Sequence, residues 1–213
     1  MKGINLSLLF ITLCCLFSCK EAKKPPTGET KFVPDSNNIT IPHNIPANPY
    51  ADVDRSPMDM SYFPVDYPQV KMTNITAVPP LIARVIYSRP QLQKRHLFRD
   101  LLKYNEPWRL GANESTEIDF YKPVTIQEKK IEPGRYIIYC IPHLETWTLV
   151  LNSNIDSWGL HQDSTKDVHR FTIPIASINT SQEYFTMVFE KSDDGADLVI
   201  TWDNLLARLP FKF

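Results

Sequence analysis

The chain has 213 residues, a formal net charge of −1 and 43% hydrophobic residues. That length fits one domain of ordinary size with residues to spare. Near-neutral charge argues against a phosphate-neutralising surface, so no nucleic-acid partner is expected. The local cluster Lys94-Arg95-His96 with Arg99 reads as a solvated face.

The first 18 residues read as a lipoprotein signal peptide. Lys2 supplies a positive start, and residues 6–17 form an apolar run too short to span a bilayer. The run ends in Leu16-Phe17-Ser18-Cys19, which resembles a bacterial lipobox, with Cys19 as the acylated residue. Acylation predicts a protein anchored to a membrane rather than crossing it. Lys20-Glu21 lacks the Asp associated with inner-membrane retention, so the outer membrane is the expected address, in either its periplasmic or its surface leaflet.

Residues 19–55 read as a flexible, proline-rich linker. Eleven of the 18 prolines fall between Pro25 and Pro80, and proline builds neither helix nor central strand. Residues 56–80 carry Met58, Met60, Tyr62, Phe63 and Tyr67, which a free linker would not need. This piece is expected to lie extended against the domain. A partner-binding peptide is the alternative.

From Leu81 to Phe213 the period is two. Leu81, Ala83, Val85 and Tyr87 share one face, and Thr116, Ile118 and Phe120 share another. Residues 135–141 and 146–152 predict a hairpin across Pro142-His143-Leu144-Glu145. Further strands are predicted over 168–176, 184–190, 196–203 and 207–213. The one helical pattern is Gln91 to Tyr104, with Leu97, Leu101 and Tyr104 on one face. Eight or nine short strands predict an all-β, antiparallel β-sandwich of jelly-roll or Greek-key type, with at most one short helix. Cys140, alone of the cysteines, lies in the strand region, in an apolar run that predicts a buried structural thiol. Gly134 and Gly195 read as turn glycines, whereas Gly111 and Gly159 each follow a tryptophan closely.

The densest polar stretch is Trp108-Arg109-Leu110-Gly111-Ala112-Asn113-Glu114-Ser115-Thr116. With Ser88-Arg89-Pro90, Pro133-Gly134-Arg135-Tyr136, Ile141-Pro142, Trp147-Thr148, Trp158-Gly159 and Asp167-Val168-His169-Arg170, in that order around it, the chain resembles the domain of unknown function 2911 family of bacterial secreted proteins and lipoproteins. The resemblance covers roughly residues 56–213 and implies no activity. One departure is the segment Leu97 to Tyr104, where the family has a glycine-containing turn.

Arg109 is a planar fork suited to a carboxylate or phosphate, Asn113 both donates and accepts, and Trp108 offers a stacking face. Arg89 and Arg95 are candidates for the same end of the domain. Two readings of the stretch stand side by side. In one, Arg89, Arg95, Trp108, Arg109, Asn113 and Glu114 form a site for a carbohydrate or an anionic small molecule. In the other, they brace a loop at the sandwich end, where buried polar groups need partners. Trp147 and Trp158 are expected in the core or at its ends; exposed beside Trp108, they would make a carbohydrate platform.

Three functions follow. The first is a non-enzymatic binding or structural module of the envelope. The second is a polysaccharide hydrolase or lyase using Glu114 with Arg109. The third is a partner-docking protein of an outer-membrane complex, using Met58 to Tyr67. No catalytic residue is assigned. The histidines His43, His96, His143, His161 and His169 show no metal-ligand spacing. With no phosphate-cradling glycine loop either, no metal or cofactor is expected.

Overall fold

A computed structural model of the chain describes residues 56–73 and 78–213. The signal peptide, Cys19 and the proline-rich linker lie outside the described residues. Nine strands follow: β1 (Met58–Phe63), β2 (Ala83–Ser88), β3 (Glu117–Phe120), β4 (Val124–Ile126), β5 (Lys129–Ile131), β6 (Gly134–Pro142), β7 (Thr146–Asn152), β8 (Asp167–Lys191) and β9 (Gly195–Lys212). All pairings are antiparallel, in the order β1-β2-β3-β6-β7-β8-β9-β4-β5. The fold is all-β, as the alternating sequence pattern predicts.

The ladder folds on itself at β8. The first part of β8 pairs with β7, and the rest pairs with β9. One strand therefore belongs to two facing sheets. The sequence splits this region into two predicted strands, because the polar run Ser177 to Gln182 interrupts the apolar alternation. In the structure the register shifts across that run, between Ser177 and Gln182 and again before Thr186, and pairing then resumes. Bulges of this kind bend a strand without ending it. Most successive strands are neighbours. The exception is the β4-β5 hairpin, which leaves β3 and joins the far edge beside β9.

Rings from the two sheets meet between them. Phe63 of β1 lies edge-on to Phe189 of β8 and Phe211 of β9, at centroid distances of 6.4 and 6.2 Å. Tyr87 of β2 meets Phe185 of β8 edge-to-face at 5.7 Å. Ala83, Val85 and Tyr87 point inward together, as do Ala196, Leu198, Ile200 and Trp202, so the period-two faces predicted for these strands form the core.

β1 is an edge strand paired residue for residue with β2, from Met58↔Ser88 to Phe63↔Ala83. The one α-helix among the described residues, α1 (Tyr67–Thr73), follows it. Pro68 suits a first helical turn, because the missing N–H has no partner to lose there. The Gln91–Tyr104 segment instead makes one π-helical turn over Leu97–Leu101, closed by the Leu102 N–H donating to the Leu97 carbonyl at 2.8 Å. Its buried leucines are Leu97 and Leu102, five apart, which is the π spacing and not the α spacing. Phe98 and Tyr104 close the loop by stacking at 4.1 Å.

Gly195 does more than turn the chain. A Cβ there would run into the backbone carbonyl of Phe211 in the same strand, which folds back close to it. Gly195→Ala is expected to destabilise the fold by about 1–3 kcal/mol through overpacking against backbone. Urea unfolding should show a lower midpoint at an unchanged slope.

Candidate ligand-binding site

The loop from Trp108 to Thr116 is pinned at both ends. Trp108 exchanges backbone hydrogen bonds with Cys140 of β6, at 2.7 and 2.8 Å. The Thr116 hydroxyl donates to the Leu110 carbonyl at 2.6 Å, and the Trp108 indole N–H donates to the Gly111 carbonyl at 3.1 Å. Gly111 lies against Ser88: a Cβ there would sit 3.1 Å from the Ser88 carbonyl oxygen. Asn113 takes the left-handed conformation that its short polar side chain tolerates, with φ of 63°.

The Trp108 ring is part of the core. It stacks on Trp202 at 5.7 Å and 23°, and meets Trp147 and Phe185 edge-on at 6.0 and 4.9 Å. A second loop, between β7 and β8, lies over the first. Gly159, at φ of 80°, presses on Ser115 and on the stem of Arg109. The Ser115 and Ser157 hydroxyls are 3.1 Å apart and tie the two loops together.

Between these loops and the π-helical segment opens a cleft of about 380 Å³. Its walls include Pro90, Arg95, Leu101, Trp108, Arg109, Leu160 and Trp202. The volume falls within the roughly 300–1,000 Å³ usual for small-molecule sites. Three of the six residues singled out in the sequence come together here: Arg95, Trp108 and Arg109. Arg95 is held by two backbone carbonyls, of Leu92 at 2.9 Å and Gln91 at 2.8 Å. Two guanidinium groups facing an aromatic wall suit a planar anionic group.

The other three do not line the cleft. Arg89 clasps the sheets together: it pairs with Asp59 of β1 at 3.2 Å, donates to the Phe185 carbonyl and the Thr186 hydroxyl of β8, and lies over the Tyr184 ring. Asn113 is half-buried beside the cleft, and its Nδ2 is buried without a hydrogen-bond partner among the described residues. Glu114 is exposed.

Trp147 is fully buried whereas Trp158 is 57% exposed, so the tryptophans do not form a shared platform. Cys140 is buried, and burial pushes its thiol well up, which makes it inert. Among the described residues, no group of three or more His, Cys, Asp or Glu is placed to hold a metal. Among the cleft residues outside the sequence-predicted set are Trp202 and Leu160. Trp202 sits on a strand face that looked purely structural. Leu160 follows Gly159, whose position after Trp158 was the available signal.

The profile of a family described as "Protein of unknown function (DUF2911)" matches residues 71–211, which takes in the whole cleft except Ser56. No curated protein and no solved structure matches the chain.

Gly159 is the test of how tightly the two loops are fitted. A Cβ there would lie 2.6 Å from the Ser115 hydroxyl and 3.1 Å from Cβ and Cδ of Arg109, on a backbone that L side chains rarely adopt. Gly159→Ala is expected to cost about 1–3 kcal/mol. Thermal melts should show the loss, with a larger drop than for Ala112→Gly in the facing loop.

Proposed function

The chain belongs to the DUF2911 family, and from that premise we propose that it is a lipid-anchored envelope protein whose β-sandwich binds a small acidic or carbohydrate ligand without turning it over. The observation that carries this reading is the meeting of Arg95 and Arg109 with Trp108 and Trp202 in one cleft. The cations supply charge-assisted hydrogen bonds, and the indoles supply a rigid wall with little entropy to lose. The cleft is built on strands and on a loop bonded to itself, which favours a preformed site.

The hydrolase or lyase reading has less support. It needs a carboxyl group beside the arginines, and Glu114 is exposed and outside the cleft. The docking-peptide reading also loses ground, because Met58 to Phe63 is an integral strand. The envelope address rests on the sequence Leu16-Phe17-Ser18-Cys19. An acylated Cys19 would hold the domain at the outer membrane through its linker.

Thermal-shift screening against sugars and small carboxylates and phosphates tests the site. A true ligand raises the melting temperature, by linkage to the folded state. Arg109→Ala should weaken its binding by about 1.5–3 kcal/mol, roughly ten- to a hundredfold, because a charge-assisted bond is lost. If no compound shifts the melt and Arg109→Ala changes only stability, the site reading fails. Cys19→Ala should move the protein from the membrane fraction to the soluble one and abolish fatty-acid labelling; retention in the membrane would overturn the anchor.

A further inference from the structure

A second cleft, of about 500 Å³, opens between β2 and α1. Tyr62, Tyr67, Tyr121, Lys71 and Arg84 supply its chemistry. None of these residues belongs to the arginine–tryptophan cleft.

The cleft is built across strands. Tyr62 of β1 stands opposite Arg84 of β2, and Arg84 stands opposite Asp119 of β3, which stands opposite Arg135 of β6. These side chains make a row on the outer face of the sheet. Asp119 anchors it, accepting from Arg84 at 2.5 and 3.0 Å and from Arg135 at 2.9 Å. Arg135 also pairs with Glu117 at 3.3 Å. The two arginines and two carboxylates cancel. Arg84 is thereby locked in place with Nε and Nη2 spent on Asp119, and Nη1 makes no hydrogen bond among the described residues.

Lys71 adds the uncancelled charge. It is exposed on α1, and its ammonium lies 5.7 Å from the Tyr67 ring centre, where the ring face attracts it. Tyr67 in turn stacks on Tyr62 at 5.8 Å and 27°. Tyr121 stands beyond the end of β3, and burial pushes its hydroxyl up, so it remains a neutral donor and acceptor.

The aromatic surface chooses between ligands. Tyr62 and Tyr67 are stacked on each other, so they do not leave a slot into which a flat base would slide. With Tyr121 they offer aromatic surface and hydroxyls along the wall, beside the Lys71 ammonium. That combination matches a sugar ring, with an apolar C–H face and a rim of hydroxyls, carrying one carboxylate. We propose that the Tyr62–Tyr67–Tyr121 cleft is a second binding site that takes an acidic saccharide, its carboxylate held by Lys71 and Nη1 of Arg84. This site is independent of the one proposed above, and neither needs the other to be occupied.

Titration calorimetry on the full chain tests it, with trigalacturonate as the probe and maltotriose and inorganic phosphate as controls. Trigalacturonate should bind, and maltotriose and phosphate should bind at least about tenfold more weakly. Lys71→Gln should weaken trigalacturonate by about tenfold or more at an unchanged melting temperature, because Lys71 is exposed. Tyr67→Leu should weaken it as well. Lys130→Gln makes the same charge change on β5, outside the cleft, and should leave binding as it was. The proposal is overturned if trigalacturonate does not bind, if Lys130→Gln weakens it as much as Lys71→Gln, or if Lys71→Gln has no effect. It is equally overturned if phosphate binds as tightly as the saccharide, which would make the cleft a bare anion site.

Discussion

The aromatic seam between the two sheets is what the rest of the molecule depends on. β8 runs through both sheets, so their faces are committed to one another by a single covalent strand, and the space between must be filled. Two ring clusters fill it. Phe63, Phe120, Phe189 and Phe211 occupy one end, with centroid distances of 5.7–6.4 Å. Tyr87, Trp108, Trp147, Phe185 and Trp202 occupy the other, at 4.9–6.0 Å. Most of these pairs are edge-to-face, the arrangement the ring quadrupole favours by about 0.5–1.5 kcal/mol beyond the area buried. Phe63 ties β1 to the core: it reaches rings on both β8 and β9 from an edge strand paired with β2, and Ser61 accepts from the Phe189 N–H of β8 beside it.

The second cluster explains why the candidate cleft sits where it does. Trp108 and Trp202 are stacked in the core, yet each also forms part of the cleft wall. The wall is therefore fixed by packing rather than by a loop that must close on a ligand. Arg109 is the next residue in the chain and faces the cleft because Trp108 is locked by its bridge to Cys140. Replacing either tryptophan would remove cleft wall and core together. Arg109 lines the same cleft from outside the ring cluster, its stem lying against Gly159.

Much of the fold was legible because period-two alternation is local. The inward faces of β2 and β9, and the β6-β7 hairpin, follow from side-chain order alone. What was not legible depends on distant partners. The unity of β8 could not be read, because Ser177 to Gln182 looks like a connection until β9 is present to pair across it. The helical pattern in Gln91 to Tyr104 failed for a related reason. Leu97, Leu101 and Tyr104 share an α-helical face, but the core offers space to Leu97 and Leu102 instead. Of the residues singled out in the sequence, Arg95, Trp108 and Arg109 line one cleft. The sequence misplaced Arg89, whose donors are all drawn to β1 and β8. An arginine at a strand end looks the same in sequence when it binds a ligand as when it clamps two sheets.

The distribution of charge follows the pairing of carboxylates with arginines. Asp119 pairs with Arg84 and Arg135, Asp59 with Arg89, and Asp167 with Arg170 while accepting from the Tyr139 hydroxyl. Each pairing fixes a cation. The cations in the cleft walls are Arg95 and Arg109 in one and Arg84 and Lys71 in the other. Cations held in this way by backbone carbonyls, ring faces or carboxylates keep a fixed place in the cleft walls.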